Sequence, residues 1–285
     1  MNPRKIDLHV HSTFSDGSFT PAELVQEALQ KGLSAMALTD HDTTAGVPEA
    51  IAAAKSTELE IIPGVELSTK YKEKEIHVVG IYIDTNHQQL AESMKAFREC
   101  RDHRNEQMLQ KLRDEGFDIT MEGLVRENPK AVITRANIAK YLVDHGQIAS
   151  FNQVFDKYIG NSCKCFVPRK MITPMEACQL ICAAGGIPIL AHPILYHMNL
   201  TPLNELIHEM KTCGLVGIEA IYSTYTPGEE ALIRRVAAEN HLELSGGSDF
   251  HGANKPFIQL GIGRGNLFIP YELLTKLKRD GVFHC

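Results

Sequence analysis

The chain has 285 residues, a formal net charge of −6 and a hydrophobic content of 44%. This length suits one α/β barrel that carries an insertion. Because charged residues make up 22% of the chain and interrupt its apolar runs, a membrane-spanning helix is excluded. The acidic balance argues against a broad basic surface for long nucleic acid, but it allows a small anionic substrate in a locally basic pocket.

The amino terminus and the cysteines bear on the cellular compartment. Residues Met1 to Asp7 lack the basic, apolar and small-residue sections of a signal peptide. The seven cysteines are an odd number without the spacing of a disulfide framework or a zinc site, so we expect reduced thiols. A cytoplasmic location is therefore expected, and the sequence gives no indication of protein partners.

The first part of the chain alternates between short apolar runs and amphipathic stretches. Lys5–Val10 is strand-like, and a helix over Pro21–Lys31 follows with Thr20 as its cap and Glu23 at the capping-box position. A second helix, Val47–Lys55, lies among three further apolar runs, which are Leu33–Thr39, Leu59–Leu67 and Ile76–Ile83. Alternation of strand and helix predicts a parallel sheet.

The pattern then changes to helices alone. One long, highly charged helix covers Leu90 to about Gly116, and helical segments continue at Ala136–Val143 and Phe151–Tyr158. We expect residues 93–165 to form a helical insertion that covers the active site. Residues 1–92 and 166–285 would then form one discontinuous barrel.

Beyond the insertion the alternation resumes. The apolar runs are Ile187–Ala191, Val216–Ile221 and Leu242–Leu244, and the helices between them are predicted at Pro174–Ala184, Pro202–Cys213 and Gly228–Asn240. The sequence thus predicts seven strands in an α/β fold.

Residue types that bind metals fall where these strands end. They are His9 and His11 on the first run, Asp40, His41 and Asp42 on the second, Glu66 on the third, His192 on the fifth, Glu219 within the sixth, and Asp249 and His251 after the seventh. In parallel barrels the carboxyl ends of the strands form the active-site face, and a His-x-His pair points both rings to one side. A single histidine there is more often structural, but the joint pattern favours a metal site.

Five segments resemble, in order, the motifs of the polymerase and histidinol phosphatase (PHP) superfamily. They are Asp7–Gly17 (DLHVHSTFSDG), Leu38–Thr43 (LTDHDT), Gly64–Ser68 (GVELS), Leu190–Pro193 (LAHP) and Gly246–Gly252 (GGSDFHG). Each is weak evidence alone, but the set is specific. The sequence is most similar to the bacterial branch that contains 3′,5′-nucleotide bisphosphate phosphatases and a 5′-to-3′ exoribonuclease. The resemblance implies a distorted seven-stranded β/α barrel with a small inserted helical cap.

The resemblance also implies the ligands of two or three divalent cations. One ion would use His9, His11, Glu66 and Asp249, a second would use Glu66 as a bridge with His77 and His192, and a third would use Asp16, His41 and His251. Mn²⁺ is the ion usually implied, and Zn²⁺ or Fe²⁺ would also suit this nitrogen-rich set. His77 lies near the start of its apolar run, so the run alone does not select it.

The chemistry expected of such a site is hydrolysis. Two cations about 3.5–4 Å apart can share a water, lower its pKa and present hydroxide for in-line attack on phosphorus. We expect metal-bound hydroxide to be the nucleophile, with no phosphorylated side chain. Asp42 and His251 are the candidates for proton transfer to the leaving group.

Substrate contacts are expected from the insertion. Arg101, Arg104 and Asn105 lie at spacings that can place the arginines on one helix face, although an isolated stretch of this kind is more often a solvated helix. The resemblance implies that Arg135 binds phosphate, and guanidinium groups suit phosphate oxygens. Thr134 and Asn137, close to Arg135 in the chain, are also expected to bind substrate, and many relatives have a histidine in place of Asn137.

The expected activity is hydrolysis of a terminal phosphomonoester on a small nucleotide, with a 3′,5′-bisphosphorylated nucleoside as the leading substrate. A 5′-3′ exonuclease acting on short RNA is the nearest alternative, followed by a histidinol-phosphate phosphatase. A C–N amidohydrolase and a non-catalytic metal-binding module are the remaining alternatives. The arginines favour phosphate, and the complete set of ligand positions favours an enzyme. Tyr222 and Tyr225 fit either stacking on a base or packing.

Overall fold

The computed structural model describes residues 4–284. Its seven strands are β1 (Lys5–Val10), β2 (Leu33–Leu38), β3 (Glu60–Tyr71), β4 (Lys74–Ile81), β5 (Ile187–Leu190), β6 (Gly217–Tyr222) and β7 (Glu243–Gly247), and they form one sheet in chain order. The Asp249 amide donates to the His9 carbonyl at 2.9 Å, and the His11 amide donates to the Phe250 carbonyl at 3.0 Å. These contacts bring the two edges together, so the predicted seven-stranded barrel is confirmed and nearly closed.

The expectation of an all-parallel sheet is wrong for β4. The β1–β2–β3 pairings and the β5–β6–β7 pairings are parallel, but β4 runs antiparallel to both β3 and β5. Tyr71 pairs with Lys74, so only Lys72 and Glu73 connect β3 to β4, and Lys72 has a φ of 53°. A two-residue connection joins antiparallel strands, whereas a parallel pair needs a long crossover.

Ten helices surround the strands within the described part of the chain. They are α1 (Pro21–Gln30), α2 (Val47–Ala54), α3 (Gln88–Asp114), α4 (Met121–Glu127), α5 (Arg135–Asp144), α6 (Phe151–Val154), α7 (Pro174–Ala183), α8 (Leu200–Lys211), α9 (Pro227–Glu239) and α10 (Tyr271–His284). A π-helical segment, Phe155–Ile159, continues α6, and short 3₁₀ turns follow β5 and β7. The predicted capping box is present, because the Glu23 amide donates to Thr20 Oγ1 at 3.2 Å and the Thr20 amide donates to Glu23 Oε2 at 2.8 Å.

Apolar side chains cover both faces of the sheet. Ile6, Leu8 and Ile62 belong to one buried cluster, while Leu24 of α1 packs with Met36 of β2 in another. Because the two faces are covered, the loops beyond the carboxyl ends of the strands are where polar side chains can gather.

Helix α3 contributes to two separate hydrophobic clusters. Leu90 and Met94 pack with the barrel, whereas Met108, Leu109 and Leu112 pack with residues from α4 to the π-helical segment. The predicted domain boundary at residue 93 falls inside α3. The division of the chain into a barrel and an insertion therefore stays a prediction.

Two predictions made from the composition concern membrane-spanning helices and the state of the cysteines. Within residues 4–284, no helix combines the length and the apolar character needed to cross a membrane. Five cysteines carry free thiols, namely Cys100, Cys163, Cys165, Cys178 and Cys213. Cys182 is disulfide-bonded, so the expectation of reduced thiols is wrong at that position.

Candidate metal centre

The ends of the strands bring histidines and carboxylates into one cluster, which we call the metal-facing cluster. Its members are His9, His11, Asp16, His41, Glu66, His77, His192, Asp249 and His251. Most of them are buried, and several line a cavity of about 270 Å³, the metal cavity. The structure thus brings together every residue that the sequence predicted as a ligand, and their role as ligands stays a prediction.

Glu66 lies at the centre of the metal-facing cluster. Its Oε1 is 2.8 Å from His77 Nδ1 and 3.0 Å from His192 Nε2. Its Oε2 is 3.0 Å from His41 Nδ1 and 3.2 Å from His11 Nε2. One carboxylate therefore faces histidines from four segments of the chain, which is the arrangement that a residue bridging two cations requires.

His77 reaches this cluster because β4 is reversed. It pairs with Ser68 across the β3–β4 ladder, and Ser68 lies two residues from Glu66. Residues two apart on a strand project to the same face. β3 runs parallel to β2, and the antiparallel β4 starts at the face of the barrel where β3 ends. A histidine near the start of β4 therefore lies beside Glu66.

A second carboxylate, Asp16, follows β1. Its Oδ1 is 3.2 Å from His251 Nε2 and 3.8 Å from His11 Nδ1, and its Oδ2 is 3.8 Å from His41 Nε2. Asp249 Oδ1 is 3.3 Å from His251 Nδ1 and 3.5 Å from His11 Nε2. His11 and His251 therefore lie between two carboxylates.

Several polar atoms of the metal-facing cluster are buried without a hydrogen-bond partner. They are His9 Nε2, His11 Nε2, Asp16 Oδ1, His41 Nδ1 and His192 Nδ1. Such an atom costs on the order of 1–3 kcal/mol when it stays unpaired, so these atoms favour a cation as partner.

The spacing of the ligand atoms also suits cations. Four groups have ligand atoms within 4.8 Å of one another: His11, Asp16, His41 and His251; His9, Glu66 and His192; His9, His11 and Asp249; and His41, Glu66 and His77. Mixed imidazole and carboxylate donors fit divalent transition metals.

The electrostatic environment keeps the carboxylates ionised. Burial by itself raises the pKa of Glu66, but His41 and His77 hold that pKa well below its usual range. Burial also raises the pKa of Asp249, and Lys255 and His251 lower it well below its ordinary value. Ionised carboxylates are the form that binds cations.

Outer residues orient members of the cluster. Glu219 Oε1 on β6 is 3.2 Å from His9 Nδ1, and Glu219 Oε2 accepts from the His192 amide at 2.8 Å. Tyr222 donates to Asp249 Oδ2 at 2.5 Å, which leaves Asp249 Oδ1 for the cluster. Contacts of this kind fix the orientation of metal ligands.

Three residues at the strand ends have positive φ angles. The values are 52° for Asp42, 27° for His192 and 55° for Asp249. Residues with a side chain rarely adopt this conformation, and strain of this kind gathers at functional sites.

Beside the metal cavity lies a group of guanidinium side chains, which we call the cap arginines. They are Arg101 and Arg104 on α3, Arg135 on α5 and Arg169 in the segment before α7. A space of about 150 Å³, the linking cavity, is lined by His41 and His77 of the metal-facing cluster and by Arg101 and Arg135 of the cap arginines. A larger space of about 550 Å³, the outer cavity, is lined by Arg104, Arg135 and Arg169.

Two buried or half-buried carboxylates contact the cap arginines. Asp42 forms an ion pair with Arg101, and its Oδ2 is 3.5 Å from Arg169 Nη1. Glu75 Oε2 is 2.7 Å from Arg135 Nη2. Asp42, predicted as a proton-transfer group, is therefore turned toward the arginines, whereas His251, the other candidate, lines the metal cavity.

The cap arginines carry more positive charge than these two carboxylates balance. Arg101 Nε and Arg169 Nη2 are buried without a hydrogen-bond partner. Burial, with Arg101 and Arg169 nearby, lowers the pKa of Arg104 to about 9. Unpaired buried charge is unfavourable, so the arrangement favours a bound anion.

Three other residues predicted to bind substrate have partners within the protein. Thr134 caps α5 and donates to Asp16 Oδ2 at 3.0 Å. Asn137 Oδ1 accepts from the Thr134 amide at 2.7 Å, and Asn105 Nδ2 donates to the Ile133 carbonyl at 2.8 Å. These contacts favour a positioning role for all three.

Arg169, Glu75 and Lys255 were not predicted from the sequence. Lys255 Nζ is 2.5 Å from Asp249 Oδ2. The available signals were weak, since Glu75 precedes His77 by two residues and Lys255 follows the last motif closely. Arg169 lies in an irregular segment, where no periodicity indicates a face.

Comparison with known proteins identifies the family. The PHP domain family matches residues 7–249. The chain belongs to the PHP family. This PHP protein is 37% identical to a 5′-3′ exoribonuclease from Haemophilus influenzae, over 87% of the chain and 90% of the relative. It is 35% identical to a 3′,5′-nucleoside bisphosphate phosphatase from Chromobacterium violaceum, over 86% of the chain and 87% of the relative.

Two solved structures share the fold of this PHP protein along almost its whole length. A sulfate-bound, metal-free structure named an amidohydrolase, from Chromobacterium violaceum, is 32% identical, with a TM-score of 0.86 over 97% of this chain and 96% of that one. A candidate metal-dependent phosphoesterase from Bifidobacterium adolescentis is 28% identical, with a TM-score of 0.87 over 98% of both chains. The PHP protein is a metal-dependent phosphoesterase, which confirms the predicted enzyme class.

Proposed function

We propose that this PHP protein removes a terminal phosphomonoester from a small 3′,5′-bisphosphorylated nucleoside in the cytoplasm. The observation that carries the proposal is the linking cavity of about 150 Å³, which His41 and His77 line together with Arg101 and Arg135. A phosphoryl group at the metal-facing cluster then has guanidinium groups within reach of a second phosphate. A substrate with two phosphates uses both regions.

The metal-facing cluster is proposed to hold two or three divalent cations. The first set is His9, His11, Glu66 and Asp249, the second is Glu66, His77 and His192, and the third is Asp16, His41 and His251, and each agrees with the short distances between these side chains. Mn²⁺ is the preferred ion, with Zn²⁺ and Fe²⁺ compatible with the same donors. When bound, such ions lower the pKa of water and neutralise phosphoryl oxygens.

His251 is the proton-transfer group that the geometry favours. It lines the metal cavity, whereas the carboxylate of Asp42 faces Arg101 and Arg169. With two cations in the cluster, His251 is left without a metal and can donate a proton from Nε2 to the leaving oxygen. General acids act across hydrogen-bond distances of about 2.6–3.2 Å, which its place in the cavity wall allows.

The cap arginines are proposed to bind the phosphate that is not cleaved. Guanidinium groups pair with phosphate oxygens in a bidentate manner. Arg169 Nη2 is buried without a hydrogen-bond partner and Arg104 donates to Asn105 Oδ1 from Nε, so both have donors to offer, while Arg135 would exchange its contact with Glu75 for the phosphate. Residues 93–165 are proposed to act as a cap over the metal cavity, which is supported by Ala136, Phe151 and Phe155 in its lining.

Exonuclease action on short RNA is the second candidate. It is supported by the 37% identity to the exoribonuclease from Haemophilus influenzae and by the outer cavity of about 550 Å³, which has room beyond the linking cavity. A histidinol phosphate carries one phosphate and leaves the cap arginines unused. An amide substrate brings no phosphate at all, so an amidohydrolase reaction is disfavoured.

The test is phosphate release by the metal-loaded protein from 3′-phosphoadenosine 5′-phosphate, AMP, short 5′-phosphorylated RNA and histidinol phosphate, with a chelator control. Chelator-sensitive turnover of the bisphosphate well above the others supports the proposal. Preference for RNA makes the protein an exonuclease. No turnover of any of the four by metal-loaded protein contradicts both.

A further inference from the structure

A second opening lies next to the metal cavity, and we call it the side cavity. Its volume is about 450 Å³. Leu195, Tyr222, Asp249 and Lys255 line both cavities. A group attached to a phosphoryl in the metal cavity can therefore extend into the side cavity directly.

The side cavity has an aromatic ring that the fold leaves in water. Phe257 lines it and is 80% exposed, whereas the other exposed large apolar side chains in the described part of the chain reach at most 47%. Keeping a phenyl ring in water forgoes the free energy that burial of such a side chain normally provides. Folding does not benefit from the exposed Phe257 ring. A ligand that covers this ring would bury it.

The tyrosines nearby are not available for this role. Tyr222 and Tyr225 are buried. The Tyr222 hydroxyl donates to Asp249 Oδ2 at 2.5 Å, and the Tyr225 hydroxyl accepts from the Ile194 amide at 3.2 Å. Both tyrosines pack in the protein, which leaves Phe257 as the aromatic surface of the side cavity.

Positive charge lies beside Phe257. Lys255 is half-buried and pairs with Asp249. Arg264 also lines the side cavity, is exposed, and has no carboxylate within ion-pair distance among the side chains of residues 4–279. An aromatic platform next to the unpaired Arg264, with Lys255 close by, is a combination that suits a base together with its phosphorylated sugar.

We propose that the side cavity is the nucleobase subsite of this enzyme and that Phe257 is the surface on which the base stacks. The base lies against the Phe257 ring while the phosphomonoester reaches the metal-facing cluster. The inference rests on the proposed function only in taking a nucleotide as the ligand. Stacking accepts every base, so selectivity among bases is expected to be weak.

The rival location for the base is the outer cavity. Phe166 lines that cavity, but the guanidinium of Arg135 already lies 5.9 Å from the centre of its ring. Arg104 and Arg169 share the same space. Guanidinium groups at that density favour phosphate, and Phe166→Ala therefore serves as the variant that separates the two locations.

The kinetic test compares three variants on two substrates. Phe257→Ala should lower kcat/KM for 3′-phosphoadenosine 5′-phosphate by roughly 5- to 150-fold, the range set by stacking of a base on an aromatic ring. It should leave turnover of ribose 3,5-bisphosphate, which has no base, within about twofold of wild type. Phe268→Ala, which removes a ring that is 46% exposed and lies outside the side cavity, is the matched control and should change neither.

A binding test gives a readout that does not depend on turnover. The fluorescence of 2-aminopurine riboside 5′-phosphate is quenched when its base stacks, so wild type should quench it and Phe257→Ala should not. If the wild-type protein hydrolyses no nucleotide, the proposed function fails, while quenching that depends on Phe257 still supports the subsite. The inference is overturned if quenching is absent in wild type, if Phe257→Ala behaves like Phe268→Ala, or if Phe166→Ala alone shows the base-selective loss.

Discussion

The barrel face and the cap face of the site contain opposite kinds of group. On the barrel face, the side chains of His11, His41 and Asp16 each have a buried atom that could bind a cation and that has no hydrogen-bond partner. On the cap face, Arg101 and Arg169 have buried donors without a partner. The first region favours cations and the second favours an anion, so a complex of metal ions and phosphate satisfies both.

The difference also separates catalysis from selectivity. The barrel groups project from strand ends that backbone hydrogen bonds fix, as the His9–Asp249 contact shows. The cap groups project from helices and an irregular segment, and Asp42 connects them to the barrel. Loss of a barrel group should therefore act on kcat, and loss of a cap group on the choice of substrate.

The largest effect is expected from the barrel face. His9→Ala removes a proposed ligand, and the metal contribution of several kcal/mol corresponds to a loss of kcat of roughly 10³-fold. Steady-state phosphate release and metal analysis by mass spectrometry measure it. His208→Ala on the exposed side of α8 is the control. Unchanged turnover and metal content in His9→Ala would remove that residue from the site.

The next largest effect is expected for Asp42, which connects the barrel face to the cap face. Asp42→Asn leaves Arg101 and Arg169 without their buried carboxylate, so the free energy of unfolding should fall by about 3–5 kcal/mol, as measured by urea denaturation. The exposed Asp114→Asn is the control.

The pH dependence of the same variant sharpens this expectation. Burial by itself raises the pKa of Asp42, but Arg101 and Arg169 hold it below 3.8. A carboxylate with a depressed folded pKa stabilises the protein above the ordinary value, and this contribution disappears as pH falls through the folded pKa. The difference between wild type and Asp42→Asn should be constant at pH values well above the ordinary carboxyl pKa and should shrink progressively as pH falls through that value toward the lower pKa of the folded state. A difference that persists at low pH would mean that charge is not its cause.

A smaller effect is expected from the excess charge of the cap. Arg104→Met should lower kcat/KM for a bisphosphorylated nucleoside by about 10- to 150-fold, since a hydrogen bond to a charged group contributes about 1.5–3 kcal/mol. The same change should not lower the melting temperature without substrate, because it removes a repelling cation. Arg235→Met on exposed α9 is the control. A drop in melting temperature with unchanged kinetics would assign Arg104 to stability instead.

The smallest effect is expected for Arg135→Ala. This side chain is half-buried and paired with Glu75, so its loss should raise KM by about fivefold, the equivalent of roughly 1 kcal/mol, with kcat nearly unchanged. Initial rates over a range of substrate concentrations measure both constants. A change in kcat alone would show that Arg135 acts in the transition state.

The sequence was informative on the barrel face because strand geometry is periodic. His9 lies near the end of β1 and His11 directly follows that strand, and Glu66 ends an apolar run, so their convergence follows from local pattern. Asp16 and His77 came only from resemblance to the PHP superfamily. The Lys72-Glu73 turn lacks the Asn-Gly or Asp-Gly sequence that indicates a hairpin, which is why the reversal of β4 was missed.

The cap face was less predictable because its contacts join distant segments. Arg169 meets Asp42 across a long stretch of chain, and no local pattern indicates that contact. Asn137 looked like a ligand contact in sequence, but its carbonyl oxygen completes the capping box of α5. The side chains that cap helices and the side chains that bind substrates are of the same chemical types. Only the packing in the structure shows which of the two roles a residue has.

The number of residues in α3 sets the direction in which its later side chains point. Its 27 residues extend about 40 Å as one continuous helix, with Leu90 and Met94 fixed against the barrel and the arginines farther along. One inserted or deleted residue between Met94 and Arg101 would rotate every later side chain by about 100°. Such a mutation would turn Arg101 and Arg104 away from the linking and outer cavities and would also turn Met108, Leu109 and Leu112 away from their hydrophobic cluster, so the length of α3 couples substrate binding to the packing of the cap.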